Sequence, residues 1–291
     1  MRQYKIIEWN INQATNKDGN NIIPAFVGEE LINQNADVII LTEFCFCRNV
    51  VNFFTSVFKK NKYDYFPKEP SQNTKNKQNE VIIAWRKASF SLEDSLEDKP
   101  FCLESSFDNN VPNFTSVTLK NEEDVILTIA GIRITMALEI KKYSDYEKQA
   151  TLRREQMLKI YTALGEKNNV IISGDFNNYR RGTKLRSWNI NQLTCGQKEY
   201  ISYTPPGQSI NSEFAYNKDY EFAEDHFITK KINMISTMYD RDFTQDNKSI
   251  YIYGKNFSVY DKELRKDIWS IKFGCGVPNH AILIGYFTLY N

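Results

Sequence analysis

Apolar residues along this chain fall into short runs separated by polar segments. The runs are YKIIEWNI at 4–11, DVIILTEF at 37–44, EVIIAWRK at 80–87, NFTSVTLK at 113–120, VILTIAGIRI at 125–134, NVIISGDF at 169–176, EDHFITKKI at 224–232 and NHAILIGYFTLY at 279–290. Their lengths and their Ile, Val and aromatic content predict strands. Segments with helical spacing lie between them: AFVGEELINQNA at 25–36, VVNFFTSVFKK at 50–60 and SDYEKQATLRREQMLKIYTALGEK at 144–167. In the last of these, Leu152, Met157, Ile160, Tyr161 and Leu164 recur at helical intervals, Ser144 is placed to cap the start, and Gly165 lies near the end. Strands with helices between and outside them predict two packed sheets with helical outer layers. No internal repeat or linker divides residues 1–291, so a single domain is expected. The polar stretches at 67–80 and 91–100 read as surface loops.

Composition narrows the classes. With 41% hydrophobic residues, abundant aromatics and few Pro or Gly, the chain can bury a large core and is not a disordered protein. A net charge of +1 excludes a globally basic nucleic-acid binder, so any basic surface must be local. The five cysteines have neither disulfide-framework nor zinc-site spacing, Cys45 and Cys47 being one residue apart, and are read as reduced thiols in or near the core. No stretch is apolar enough to be a signal peptide or a membrane span, and the expected location is cytoplasmic.

Several strand runs end in residues of catalytic type. IIEWNIN closes with Asn10 and Asn12, VIILTEF with Glu43, and IISGDFN with Asp175 and Asn177; EFAEDHF carries Asp225, and the final run opens on Asn279 and His280. In an extended chain residues two apart share a face, so Asp175 and Asn177 are expected to project together. Taken alone, Gly-Asp-Phe-Asn reads first as a turn.

Taken together, WNIN, DVIILTE, GDFN, AEDHF and PNHAI resemble, in order and across nearly the whole chain, the motifs of the endonuclease/exonuclease/phosphatase superfamily, whose best-known nuclease branch is deoxyribonuclease-I-like. The resemblance implies a four-layer α/β/β/α sandwich, with two mixed, mainly antiparallel sheets packed face to face and helices outside. It also implies phosphoester hydrolysis by an activated water. Glu43 would be the principal ligand of Mg²⁺ (or Mn²⁺), with Asn10 beside it and Asn279 as a further ligand. Asp175 would position or deprotonate the water, Asn177 would bond a phosphate oxygen, and Asp225 would orient a charged His280. Arg153 and Gln156 resemble a supporting R-x-x-Q pair. His226 is read as a packing or surface histidine.

Two positions depart from the family pattern. Asn279 stands where Asp is usual, which removes a charge that would help bind metal. Arg133 stands where a His or Tyr is common; it could clamp a phosphate or simply pair with a neighbouring acid. Arg180, Arg181, Lys184 and Arg186 follow GDFN and could attract a polyanion, with Tyr179 and Trp188 stacking on bases. A nucleic acid is therefore the expected substrate. A small phosphoester, a lipid headgroup, or a binding module that keeps the fold with weakened catalysis are the alternatives.

Overall fold

A computed structural model of the chain describes residues 2–13, 23–69, 80–93, 101–103, 113–134, 143–178, 188, 190–207, 223–245, 248–253, 256–261, 266–272 and 278–290. In chain order the first half holds β1 (Gln3–Asn10), α1 (Ala25–Asn33), β2 (Val38–Phe44), α2 (Arg48–Lys60), β3 (Tyr63–Phe66), β4 (Glu80–Arg86), β5 (Ser91–Leu92), β6 (Phe101–Leu103), β7 (Asn113–Lys120) and β8 (Ile126–Arg133). Then come α3 (Tyr143–Leu164), β9 (Val170–Asp175), β10 (Ile201–Tyr203), β11 (Asp225–Lys230), β12 (Asn233–Asp240), β13 (Thr244–Gln245), β14 (Lys248–Tyr253), β15 (Asn256–Asp261), β16 (Lys266–Lys272) and β17 (Ile282–Thr288).

Two sheets carry the fold. One runs β12-β17-β1-β2-β4-β3; the other runs β10-β11-β9-β8-β7-β5, with β6 also on β7. Each is mixed through one parallel pair, β1 with β2 and β8 with β9. The layer order follows from side-chain alternation. In β1 and β2, Ile7, Ile39 and Leu41 pack against Phe26, Val27 and Leu31 of α1 and Phe54 and Phe58 of α2. Their neighbours Ile6 and Ile40 face the other sheet, meeting Leu127, Ile129, Ile171 and Phe227. That second sheet turns Ala130, Ile132, Val170 and Ile172 to Met157, Ile160 and Leu164 of α3. The strands are apolar on successive residues because both faces are buried, and the result is the four-layer α/β/β/α sandwich expected.

Two glycines mark where the sheets come closest. A Cβ on Gly131 would lie 2.5 Å from Val81 Cγ1 and 2.9 Å from Ile40 Cγ2; one on Gly285 would lie 2.8 Å from the Phe227 ring.

Some features differ from expectation. A third, four-stranded antiparallel sheet, β13-β14-β15-β16, was not foreseen. Ser91 and Leu92, read as loop, pair with Lys120 and Leu119 instead. Helix α3 begins at Tyr143, which puts Ser144 inside its first turn rather than at the cap. Cys45 is buried and Cys47 and Cys195 are half-buried, and all three are free thiols. Among the described residues no helix is long and apolar enough to cross a membrane.

Candidate functional site

The layer between the sheets changes character at one end of the sandwich. Along β1 the inward column reads Tyr4, Ile6, Glu8, Asn10; along β8 it reads Leu127, Ile129, Gly131, Arg133; along β9 it reads Ile171, Ser173, Asp175. Strand β11 starts its own column with Asp225 before Phe227. Four columns thus pass from apolar to polar or charged side chains at the same end of the sandwich. The strand registers enforce this, since Arg133 is opposite Asp175, and Asp175 is opposite Asp225.

Glu43 joins them by a different route. Strict alternation would turn it to the α1/α2 side with Ile39 and Leu41. The β2–β4 register breaks between Leu41 and Phe44, and Glu43 itself has φ 54°. A left-handed non-glycine residue costs roughly 1 kcal/mol or more, a cost that the surrounding structure has to over-determine. Here the distortion swings the carboxylate into the gap between the sheets. Asn12 (φ 53°) and Asn177 (φ 45°) share the same unusual backbone region.

The contacts are direct. His280 Nδ1 lies 2.8 Å from Asp225 Oδ2. Trp9 Nε1 donates to the His280 carbonyl at 3.0 Å, fixing the segment that carries the imidazole. Asn10 Nδ2 donates to Asp175 Oδ2 at 3.2 Å, while Asn10 Oδ1 accepts the Asn12 N–H at 3.0 Å. Arg133 Nη2 and Nε both donate to Glu43 Oε1, at 2.7 and 3.0 Å, and Nε is 3.7 Å from Asp175 Oδ2. The sequence-predicted residues Asn10, Glu43, Arg133, Asp175, Asp225 and His280 are therefore brought together from two sheets. Asn177 is adjacent: its N–H donates to Asp175 Oδ1 and its Nδ2 donates to the Ile134 carbonyl. Asn279 is half-buried next to His280.

The electrostatics separate the roles of these groups. Burial opposes charge on His280, but Asp225, with Asp175 and Glu224 behind it, outweighs burial and lifts its pKa to about 10, so the imidazole is a cation at neutral pH. Burial raises Asp175 to about 6, with His280 and Arg133 pulling the other way. Glu43 is also desolvated, yet Arg133 and His280 hold it below the usual carboxylate range.

Other site residues were missed by the sequence reading. Glu8 is fully buried, and its Oε1 accepts the Thr42 hydroxyl at 2.9 Å. Desolvation, then Asp225, pushes its pKa well above the usual range. Glu8 Oε2 and Asp225 Oδ1 are both buried without a hydrogen-bond partner among the described residues. Glu224 is raised to about 8, chiefly by burial. The signal for Glu8 was available, since an acid amid Ile6, Ile7 and Trp9 is out of place in a buried strand.

Other expectations need correcting or bounding. Trp188 is wholly buried and its Nε1 donates to the Phe176 carbonyl at 3.0 Å, so it belongs to the α3-side core and does not stack on bases. His226 is a core histidine between Thr204 Oγ1 and Asn178 Oδ1, driven to about 4 by desolvation and hence neutral. Arg153 and Gln156 are buried beneath the second sheet. Tyr179, Arg180, Arg181, Lys184 and Arg186 lie outside the described residues.

The donor chemistry fits a hard divalent cation in part. Glu43 and Asn10 offer oxygen, and Asp175 and Asp225 lie in the same cluster as Arg133 and His280. Among the described residues no three acidic, histidine or cysteine side chains converge to cage an ion. The set suits an ion anchored by one carboxylate and mostly by water. Glu43 Oε1, however, is already taken by Arg133.

No family model matches the sequence, and no curated protein matches it in a sequence search. Solved structures do match the fold. The human Nocturnin catalytic domain with bound sulfate superposes with TM-score 0.56 at 13% identity, over 99% of this chain and 94% of that one. An endonuclease/exonuclease/phosphatase family protein from Bacteroides thetaiotaomicron gives 0.57 at 11% identity, over 99% and 96%. ANGEL2, a 2',3'-cyclic phosphatase, in complex with adenosine-2',3'-vanadate gives 0.53 at 10% identity, over 98% and 95%. The chain has the deoxyribonuclease-I-like fold of these proteins.

Proposed function

We propose that this protein hydrolyses phosphoester bonds by attack of water, and that its substrate is a nucleic acid. The observation that carries the reading is the convergence of the Asp225–His280 pair with Asp175, Asn10, Glu43 and Arg133 at one end of the gap between the sheets. These groups suit the charge flow of phosphoryl transfer to water. Asp175, raised to about 6, is ionised at neutral pH yet basic enough to take a proton from an attacking water. Asn10 orients its Oδ2. His280, with Nδ1 committed to Asp225, presents Nε2–H as a cationic donor to a phosphoryl oxygen. Arg133 adds a second cation. Glu43 with Asn10 would hold Mg²⁺ or Mn²⁺, which when bound supplies Lewis-acid stabilisation of the developing negative charge.

Support for a nucleic-acid substrate comes from the sequence. Arg180, Arg181, Lys184 and Arg186 follow Asp175 closely, a local excess of cations in a chain of net charge +1. The test is cleavage of supercoiled plasmid and a labelled single strand, beside bis-p-nitrophenyl phosphate, with and without Mg²⁺ or Mn²⁺. Loss of cleavage in both His280→Ala and Glu43→Ala is the expected result. Turnover of the small diester alone would replace nucleic acid by a small phosphoester. Turnover of nothing under any condition would leave a binding module and refute the proposal.

A further inference from the structure

Besides the Asn10 amide, Glu43 is held by a cation from the opposite sheet. Arg133 places both Nη2 and Nε on the single oxygen Oε1, at 2.7 and 3.0 Å, rather than forking across both oxygens. The side chains are only 13% and 14% exposed, so water screens the pair weakly. Arg133 Nε also lies 3.7 Å from Asp175 Oδ2, so the guanidinium sits between the two carboxylates that the proposed chemistry uses. A divalent cation at Glu43 would meet this positive charge at close range in a poorly screened pocket, where like charges repel strongly. An arginine is also the side chain best shaped to leave a carboxylate for a phosphate, since its planar donors match either.

We propose that Arg133 and a divalent cation are alternative partners of Glu43, and that a phosphoryl group entering the site draws Arg133 off it. Cation and phosphate then bind together, and each binds weakly alone. The inference rests on the hydrolase reading for the identity of the ligands, but it concerns binding and is tested without turnover. It changes the meaning of the departure at residue 133. The arginine is neither a passive strut nor a fixed clamp; it holds Glu43 paired until substrate arrives. Such coupling is reciprocal, so the factor by which phosphate tightens the cation equals the factor by which the cation tightens phosphate.

The experiment is titration of the full chain with Mn²⁺, followed by calorimetry and by the electron paramagnetic resonance of free Mn²⁺, with and without saturating inorganic phosphate. Wild type, Arg133→Gln and Arg133→Lys are compared, with near-ultraviolet circular dichroism confirming the fold. Without phosphate, Arg133→Gln is expected to bind Mn²⁺ about tenfold or more tighter than wild type, since a factor of ten or more is the usual scale of such coupling. Its gain on adding phosphate should be smaller than the wild-type gain by a similar factor. Arg133→Lys, which keeps the charge without the planar fork, should fall between them. Equal Mn²⁺ affinity in wild type and both variants, or Mn²⁺ binding that weakens in Arg133→Gln, overturns the proposal. Failure of every protein to bind Mn²⁺ also overturns it, while hydrolysis measured in chelator decides the functional reading separately.

Discussion

Replacing Gly131 by Ala tests whether the core sets the spacing of the site. Gly131 lies on β8 two residues before Arg133, in the same inward column. An added Cβ would sit 2.5 Å from Val81 Cγ1 and 2.9 Å from Ile40 Cγ2, and both of those residues are buried in the facing sheet. Ordinary carbon contacts are about 3.5–4.0 Å, so the sheets must part locally by about 1 Å. Overpacking of this kind costs about 1–3 kcal/mol, and the lower backbone entropy of Ala recovers roughly 0.5–1 of that. The net loss is then roughly 0–2.5 kcal/mol, and at about 1 kcal/mol, near the middle of that range, Tm falls by roughly 2–4 °C in a large domain. The larger effect should fall on catalysis. Arg133 and Glu43 approach across this gap at 2.7 Å, and a displacement of about 1 Å at a reacting group can cost about a hundredfold. The assays are thermal unfolding and kcat on bis-p-nitrophenyl phosphate at a temperature where the variant is folded. A lowered Tm with kcat within about twofold of wild type would show that the contact supports the core without setting the site. An unchanged Tm would show that the sheets absorb the methyl, and the packing argument would fail.

Other outcomes follow from the same geometry. Burial raises the Asp175 pKa and Arg133 lowers it, so in the metal-free protein Arg133→Gln should move the Asp175 carboxyl titration, followed by nuclear magnetic resonance, to higher pH, and a downward move would contradict the assignment. Glu8 has a folded-state pKa above its ordinary 4.5, so its contribution to stability is present below that value and lost as pH rises. Glu8→Gln should therefore gain on wild type in urea unfolding between pH 4 and pH 8, and a constant difference would refute the burial argument. Trp188→Ala should destabilise by about 3–5 kcal/mol, as loss of a core Trp does, without weakening binding of a single-stranded oligonucleotide; the reverse pattern would restore the stacking role.

What the sequence disclosed was the position of chemistry at strand ends. Asn10, Glu43, Asp175, Asp225 and His280 were each visible as polar residues closing or opening an apolar run, and their order carried the fold. What it withheld was pairing across the gap. Nothing local shows that Arg133 meets a residue 90 positions earlier, or that Glu43 faces inward, because alternation assigns it to the other side and only the left-handed backbone reverses that. Trp188 misled because its basic neighbours suggest surface, whereas its indole fills the core beside Phe176. The meander β13–β16 was overlooked although KSIYIY and KDIWSIK are rich in the Ile and aromatic residues that favour strands.

Strand β17 lies between β12 and β1, pairing Thr288 with Gln3 on one side and with Asn233 on the other. A strand in the middle of a sheet cannot be added as an afterthought, so this sheet is incomplete until residue 288 is available. His280 reaches Asp225 on the same schedule, because it immediately precedes that strand. At roughly 5–20 residues per second, Glu43 waits on the ribosome for roughly 10–50 s before His280 exists. At the end of that interval, once Asp225 has been made, the nascent chain carries the acids of the site without their imidazolium. The topology therefore acts as a timer: the groups proposed to cut phosphoesters are assembled only after the message encoding them has been read past residue 280.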